Sequence, residues 1–314
     1  MSEVVQIENL RKNYKERKAV DDISFDVHKG EILCILGPNG AGKSTTINML
    51  TGALSCDGGG IRSAFCGGQD IHSNLNVYKR KLGIVPQELA IYEDLSARNN
   101  VQFFASLYGL KGAQLKEGCR FALEFAGLSD RAQDKAKTFS GGMKRRLNIA
   151  CAIAHKPELL VMDEPTVGID PQSRSHILGS IQRLREEGMT IIYTTHYMEE
   201  VEEISTGIII MDHGKIIATG TKEELKKSLD AEKVTTIEAD DLDTFNVEIL
   251  CGIAGVKHVT NHGKLEITTV PGMENLDRMI GALIENGKKI TSITTQAVSL
   301  ETVFLSLTGR TLRD

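Results

Sequence analysis

A glycine-rich turn between a predicted buried strand and a predicted helix constrains the fold of this chain more than any other feature. The strand is Glu31 to Leu36 (EILCIL), and the helix lies in STTINMLTG, whose apolar residues share one face. Two similar runs, Leu159 to Met162 and Thr190 to Thr195, also end in polar residues. Buried strands that alternate with helices indicate an α/β domain with a largely parallel sheet. Such sheets bind ligands at the carboxyl ends of their strands, so the three runs predict one shared site.

The turn itself, GPNGAGKS, matches the pattern G-x-x-x-x-G-K-[ST] of a phosphate-binding loop. In that loop backbone N–H groups surround the phosphates, the lysine reaches the β- and γ-phosphates, and the hydroxyl binds Mg²⁺. The predicted phosphate contacts are Gly37, Pro38, Asn39, Gly40, Ala41, Gly42, Lys43, Ser44 and Thr45. A glycine-rich turn without a ligand is the alternative. The flanking strand and helix favour the nucleotide, because the helix N-terminus is aimed at the anion.

A phosphate-binding loop alone is compatible with a kinase, a GTPase or a motor, so the class of enzyme must come from other segments. In FSGGM, Ser140 is placed to cap the apolar-faced helix that follows, and Gly141 and Gly142 permit close backbone approach. A flexible turn with a capping serine would have the same sequence. The segment LLVMDEP, in which a predicted strand ends at Asp163 and Glu164, makes the functional interpretation the stronger one.

Together these segments resemble the ATP-binding cassette (ABC) family. Gly37 to Thr45 resembles its Walker A motif, FSGGM its signature and LLVMDEP its Walker B motif. Further matches are Gln87 to the Q-loop, Gly168-Ile169-Asp170 to the D-loop, His196 to the switch histidine and Tyr14 to the aromatic that stacks on adenine. The motifs follow the order that the family has along the chain.

The resemblance implies ATP as the nucleotide and Mg²⁺ as its cofactor, and it implies a role for each residue. Asp163 and Ser44 would hold Mg²⁺, and Glu164 would act as general base on the attacking water. Gln87 would offer its amide oxygen to Mg²⁺ or water, and His196 would donate a hydrogen bond to the γ-phosphate. The predicted catalytic residues are Glu164, His196 and Gln87, and the predicted metal ligands are Ser44, Gln87 and Asp163.

A dimer is also implied, because in the family the signature serine contacts the γ-phosphate of ATP bound by the other protomer. Ser140, Gly141, Gly142 and Asp170 would therefore complete the nucleotide site of a second copy of the chain, or of a homologous ATPase. The dipole of the helix after Ser140 would favour the anion. Val167 stands where the family commonly has serine, which removes a hydroxyl contact between protomers.

Helical patterns replace strand patterns between Gln87 and Pro157, which predicts a helical subdomain at about 88–158, inserted in the sheet domain. Ser96 is placed to cap a helix that runs to Gly109. No strand is expected in this segment.

The end of the chain has a different pattern. After Gly220 a strand, helix, strand, strand, helix, strand order predicts a small α+β, ferredoxin-like domain. We therefore expect an ATP-binding domain at 1–225 and an accessory or regulatory domain at 226–314. Ser299 to Gly309, followed by Arg310, resembles the ending of ATPases from drug and antibiotic exporters. An amphipathic helix that docks the small domain is a compatible interpretation.

The amino-acid composition argues against some classes of binding partner. The chain has 37 Lys and Arg against 42 Asp and Glu, so it lacks the basic footprint of a nucleic-acid-binding protein. Its apolar stretches are far shorter than the roughly 20 residues of a membrane helix, and the N-terminus lacks signal-peptide features. The expected protein is peripheral, on the cytoplasmic face of the cell membrane, with a separate transmembrane permease that exports drugs, antibiotics or lipid-like substrates.

Two other functions are alternatives to a transporter subunit. A soluble ABC ATPase that acts on ribosomes or DNA is disfavoured by the single phosphate-binding loop and the absence of sustained heptads. A non-hydrolysing regulatory module would be favoured by the loss of Glu164 or His196, and both residues are present.

Overall fold

The computed structural model describes residues 2–15, 17–228, 233–242, 245–270, 273, 275–296 and 299–308. These residues divide into two compact units. One unit comprises the described residues up to Lys222 together with Leu307 and Thr308, and the other extends from Glu223 to Ser306. Gly309 and Arg310, which belong to the exporter-like ending, lie outside the described residues.

The first unit combines ten strands with seven α-helices, counted over its described residues. Its strands are β1 (Glu3–Tyr14), β2 (Arg17–His28), β3 (Ile32–Leu36), β4 (Gly58–Ser63), β5 (Gln69–Asp70), β6 (Leu82–Val85), β7 (Leu159–Asp163), β8 (Thr190–Thr195), β9 (Gly207–Asp212) and β10 (Lys215–Gly220). Its helices are α1 (Lys43–Leu50), α2 (Leu75–Arg80), α3 (Ala97–Leu107), α4 (Gly112–Phe125), α5 (Gly141–Ile153), α6 (Pro171–Glu186) and α7 (Met198–Ile204).

A six-stranded sheet with the order β10-β9-β3-β8-β7-β6 carries the predicted site. Its strands are parallel except for β10, which pairs antiparallel with β9. The three predicted runs form the neighbours β3, β8 and β7, and every residue of these strands is buried. Strands covered on both faces are rich in apolar residues, and the central residues of these strands are apolar. The parallel α/β sheet that the sequence predicted is confirmed.

The second sheet, with the order β2-β1-β4-β5, is antiparallel throughout. Its apolar side chains share one buried cluster with α1, α2 and the larger sheet. Ile7 of β1, Ile23 of β2, Met49 of α1 and Ile209 of β9 all belong to this cluster. The core therefore fixes α1, and with it the phosphate-binding loop, between the two sheets.

The inserted helical part consists of α3, α4 and α5, which pack on one another. Ser96 caps α3 as predicted, because its hydroxyl accepts a hydrogen bond of 3.1 Å from the Asn99 N–H. The helix ends at Leu107, and Gly109 follows in a left-handed conformation. An inserted helical subdomain in the sheet domain is thus confirmed. Among the described residues, no helix combines the length and hydropathy needed to cross a membrane.

The second unit is a small antiparallel sheet with helices. Its elements are β11 (Lys233–Ala239), α9 (Glu248–Cys251), β12 (Val256–Asn261), β13 (Leu265–Thr269), α10 (Leu276–Glu285) and β14 (Ile290–Gln296). The helices α8 (Lys222–Ser228) and α11 (Leu300–Thr308) also belong to it, except for Lys222, Leu307 and Thr308, which are part of the first unit. The sheet order is β12-β13-β11-β14, with every pair antiparallel. From β11 to β14 this is the βαββαβ arrangement of a ferredoxin-like fold, which confirms the prediction.

Candidate functional site

The phosphate-binding loop connects the end of β3 at Leu36 to the start of α1 at Lys43. Gly42 has a φ of 106°, in the left-handed region that favours glycine, and a Cβ there would lie 2.5 Å from the Ala19 carbonyl oxygen. The loop can approach the Ala19 backbone this closely only because Gly42 has no side chain. The first N–H groups of α1 have no earlier helical carbonyl to bond, so they can donate to an anion.

Lys43 is almost fully buried, and its ammonium group contacts its own loop and a carboxylate. Nζ donates to the carbonyl oxygens of Gly37, at 2.8 Å, and Pro38, at 3.1 Å. Nζ also lies 3.0 Å from Oε1 of Glu164, and neither side chain is more than 6% exposed. A buried ammonium and a buried carboxylate stabilise each other's charge at this distance. The predicted phosphate-binding cation and the predicted base are therefore an ion pair.

Asp163 ends β7 and connects the loop to the neighbouring strand. Its Oδ1 accepts a hydrogen bond of 2.6 Å from the Thr194 hydroxyl and one of 3.3 Å from the Ser44 hydroxyl. Thr194 lies opposite Asp163 in the parallel pairing of β7 with β8. Two of the three predicted Mg²⁺ ligands, Ser44 and Asp163, are thus side by side, and the sheet register holds the carboxylate in place.

Glu164, the first residue after β7, has a φ of 44°, which is unusual for a residue other than glycine. Its N–H donates to the Thr194 hydroxyl at 3.0 Å, which helps to hold this conformation. The carboxylate is buried, and its Oε2 accepts a hydrogen bond of 3.3 Å from the Gln87 amide nitrogen. Backbone conformations of this kind persist at functional sites where surrounding contacts fix them.

His196 follows β8, with a side chain that is 23% exposed. Its Nδ1 is 3.4 Å from Oε1 of Glu164, but it has no hydrogen-bond partner among the described residues. The histidine therefore has hydrogen-bonding capacity to spare beside the predicted base. Its imidazole packs against the ring of Tyr197, with 4.2 Å between the centroids.

A cleft of about 490 Å³ opens beside these groups. It is lined by Tyr14, Arg17, Ala19, Asn39, Gly40, Gly42, Lys43, Ser44, Thr45, Gln87 and Glu164. The Tyr14 ring is half exposed at the end of β1, so an aromatic face is available at one side of the cleft. The arrangement joins an aromatic surface, a phosphate-binding loop and a carboxylate in one opening, as an adenine nucleotide requires.

The signature residues and Asp170 are not among those that line the cleft. The Ser140 hydroxyl caps the 13-residue helix α5 by accepting a hydrogen bond of 3.3 Å from the Met143 N–H. Asp170 caps α6 by accepting one of 2.9 Å from the Ser173 N–H, which lowers the pKa of its carboxyl group. A Cβ at Gly142 would lie 3.5 Å from Oδ1 of Asp170, so the two segments adjoin within the chain. This second group of predicted residues is separate from the cleft-lining set.

Gly142 and Gly141 provide a matched pair of substitutions at the start of α5. A Cβ at Gly142 would lie 2.1 Å from the Ser173 hydroxyl oxygen, whereas one at Gly141 would meet none of the described atoms within 4 Å. We expect Gly142→Ala to lower the free energy of unfolding by about 1–3 kcal/mol through overpacking. Gly141→Ala should be neutral or raise it by up to about 1 kcal/mol, since alanine favours helix. Urea unfolding of both variants measures the difference, and equal stabilities would contradict the close contact.

Sequence reasoning missed two residues of the site. Arg17 lines the cleft and donates from its guanidinium to the Gly40 carbonyl oxygen at 3.2 Å. Thr194 holds both Asp163 and Glu164 from the adjacent strand. Arg17 could have been noticed as a cation close to Tyr14 in the sequence. Thr194 carried no signal, because only the strand order makes β8 the neighbour of β7.

The buried carboxylate of Glu200 accepts hydrogen bonds from the segments that contain Glu164 and His196. It is 1% exposed and accepts hydrogen bonds from the hydroxyls of Thr166 at 2.6 Å and of Tyr193 and Thr195 at 2.8 Å. Burial and the nearby charge of Glu200 raise the pKa of Tyr193 well above its usual value, so the phenol stays a donor. Because Thr166 follows Glu164 and Thr195 precedes His196, this network holds the two segments together.

The protein oxygens available here fit a magnesium ion that takes most of its ligands from the nucleotide. Among the described residues, no group of three or more His, Cys, Asp or Glu side chains could hold a metal ion. Mg²⁺ in phosphate-transfer sites is typically bound by one or two protein oxygens together with substrate phosphates. Asp163 and Ser44 offer such a pair of oxygens beside the loop.

Comparisons with known proteins agree with this geometry. The sequence profile of the ABC transporter family matches residues 20–167. The linearmycin resistance ATP-binding protein LnrL of Bacillus subtilis (strain 168) is 44% identical over 314 residues, which cover 99% of this chain and 100% of the relative. The chain belongs to the ABC transporter family. As an ABC ATPase it binds nucleotide and hydrolyses ATP.

Other relatives support the same assignment over the full length. The daunorubicin/doxorubicin resistance ATP-binding protein DrrA of Streptomyces peucetius is 34% identical, with 99% of this chain and 94% of the relative covered. Among solved structures, cbiO1 from Clostridium perfringens, part of the ABC transporter complex cbiONQ, matches with a TM-score of 0.65 and 28% identity, covering 72% of this chain and 91% of that one. The ADP conformation of the ATP-binding cassette MJ1267 matches with a TM-score of 0.64 and 27% identity, covering 71% and 93%.

Proposed function

We propose that this ABC ATPase powers an exporter of drugs, antibiotics or lipid-like molecules, by dimer closure against a separate membrane subunit. The observation that carries the catalytic part is Glu164, which is held between Lys43 and Gln87 and lines a cleft of about 490 Å³. The export part rests on full-length similarity to two proteins named for linearmycin and daunorubicin/doxorubicin resistance. The subunit would lie at the cytoplasmic face of the membrane, and the unit that begins at Glu223 would be accessory or regulatory.

The residues of the cleft divide the work of hydrolysis. Tyr14 would stack on the adenine, and the loop amides would bind the phosphates. Ser44 and Asp163 would hold Mg²⁺, which would supply positive charge beside the phosphates. Phosphate oxygens compete with Glu164 for the Lys43 ammonium. Nucleotide binding would therefore free the Glu164 carboxylate to accept the proton of the attacking water. Gln87 and His196 lie against that carboxylate, where they can orient water and γ-phosphate.

The second group of residues, around Ser140, would act on the nucleotide of a partner subunit. Ser140, Gly141 and Gly142 begin a helix whose N-terminal dipole favours anions, and they are not part of the chain's own cleft lining. A two-fold dimer brings such a surface of each subunit to the cleft of the other. Each of two sites would then combine Lys43 and Glu164 of one protomer with Ser140 of its partner.

Mixed dimers of two inactive variants test this shared site. Lys43→Ala removes the phosphate-binding cation, and Ser140→Arg places a bulky side chain where the γ-phosphate must approach. In a mixed dimer both lesions fall in one site, and the other site is intact. If subunits exchange freely and the sites act independently, about half of the dimers are mixed and about a quarter of normal ATPase activity should return.

A second readout covers the case in which both sites must fire together. A cysteine at position 43 of one subunit and a cysteine at position 140 of the other should form an intersubunit cross-link in the mixed dimer, whose second site is intact and still binds ATP. If the variants fold and bind ATP as expected, yet give neither recovered activity nor the cross-link, the shared site is wrong. Ser140 would then be a helix cap and nothing more.

A further inference from the structure

Arg145 is a buried cation that the catalytic scheme leaves unused. It lies on α5, one and a half turns after Ser140, and is 4% exposed. Its guanidinium donates to two successive carbonyl oxygens, those of Pro86 at 2.9 Å and Gln87 at 2.7 Å. No carboxylate pairs with it in the described part of the chain, and desolvation lowers its pKa from the usual value. Burying a cation against carbonyl groups alone is costly, so the contact needs a reason beyond packing.

The two carbonyl groups belong to the segment whose Gln87 side chain contacts Glu164, the predicted base. Gln87 follows β6, and its side-chain amide donates to Glu164. The same residue is therefore bonded through its side chain to the catalytic carboxylate and through its backbone to α5. Hydrogen bonds from a charged guanidinium are about twice as strong as neutral ones. If Glu164 changes its hydrogen-bond partners, the Gln87 side chain can shift with it. Any resulting movement of the Gln87 backbone is then passed to α5 through Arg145.

The buried face of α5 has hydrogen-bonding capacity left over. Arg145 Nε and Asn148 Nδ2 are buried donors without an acceptor in the described portion of the structure. They are three residues apart and so share one face of the helix. Buried donors are normally satisfied, so these two donors need an explanation beyond the packing of the helix.

We propose that Arg145 is a positioning residue that transmits the state of Glu164, through Gln87, to the Ser140 end of α5. The proposal rests on the shared site proposed above, because the Ser140 end acts on the partner's nucleotide. Arg145 would set the approach of Ser140 to that nucleotide and would leave ATP binding in its own cleft intact.

Complementation between inactive variants distinguishes this role from one that is confined to the chain's own cleft. The variant is Arg145→Met, which keeps the stem and removes the two hydrogen bonds, with Arg145→Lys as the conservative partner. We expect Arg145→Met to bind ATP within about twofold of the wild type and to lose about 5- to 150-fold of turnover, the range of typical coupling energies. Mixed with Lys43→Ala it should regain activity, whereas mixed with Ser140→Arg it should not. Arg145→Lys should recover part of the turnover.

Arg146 provides the matched control on the same helix. Its guanidinium donates to the Ala126 carbonyl oxygen at 2.8 Å, at the end of α4 and away from Gln87. Arg146→Met should therefore keep its turnover per folded molecule within a few-fold of the wild type. If it reproduces the Arg145→Met pattern, the effect belongs to the helix and the proposal is wrong.

Each of the other possible outcomes would overturn the proposal. Recovery with Ser140→Arg but not with Lys43→Ala would show that Arg145 serves only its own cleft. Recovery with neither variant, or wild-type turnover by Arg145→Met, would equally overturn the proposal. The pair Lys43→Ala and Ser140→Arg is measured in parallel. If that pair gives neither recovered activity nor the cross-link between positions 43 and 140, the shared site itself is refuted, which is distinguishable from a failure of Arg145 alone.

Discussion

Glu164→Gln is expected to remove most ATP turnover while leaving ATP binding intact. The substitution keeps the shape of the side chain and its contact with Gln87, but an amide cannot accept the proton of the attacking water. Loss of a general base lowers turnover by about 10²- to 10⁴-fold. Steady-state phosphate release measures the effect, and a titration with labelled ATP verifies binding.

Glu158→Gln is the matched control for this variant. Glu158 directly precedes β7 and Glu164 directly follows it, so the two carboxylates flank the same strand. Glu158 is half exposed and pairs with Lys81, and such surface pairs contribute about 0–1 kcal/mol. Its variant should hydrolyse ATP at the wild-type rate. Near-normal hydrolysis by Glu164→Gln would remove Glu164 from the role of base.

The same variant bears on the transport proposal. Slow hydrolysis should prolong the ATP-bound dimer, so Glu164→Gln isolated with ATP from host membranes should retain an integral membrane protein. Lys43→Ala, which binds ATP poorly, should not. Retention of ribosomes or nucleic acid in its place would favour the soluble ABC ATPase.

Lys43→Ala is expected to weaken ATP binding by at least about 100-fold. The ammonium is buried at the loop and can make two or more charge-assisted hydrogen bonds to phosphate, each worth about 1.5–3 kcal/mol. Isothermal titration of ATP measures the loss directly. Unchanged affinity would contradict the role of Lys43.

Folding must be controlled in this experiment, because Lys43 is also the partner of Glu164. Removing one member of a buried ion pair leaves an uncompensated charge and can cost about 3–5 kcal/mol. We expect the double variant Lys43→Ala/Glu164→Gln to recover thermal stability, since the charge is gone, without recovering ATP affinity. Recovery of both would mean that Lys43→Ala acts through folding.

Much of the site was predictable because its signals are local in sequence. The cap at Ser140, the glycine-rich loop and the polar residues at the ends of three strands each depend on a few neighbouring residues. The parallel arrangement then follows from alternating strands and helices, and it implies that Gly37, Asp163 and His196 share one edge of the sheet. The order and spacing of the motifs identified the family.

Tertiary structure alone decided how these residues contact one another. The strand order made Thr194 the neighbour of Asp163, and the same packing produced the Lys43–Glu164 ion pair and the Arg145 contact with the Gln87 carbonyl. Residue type and periodicity determine which face of an element is buried and where it ends, whereas strand order and side-chain partners depend on how the whole core packs. The sequence by itself therefore determined the chemistry available to this protein, and the packing of its sheets determined which charges meet.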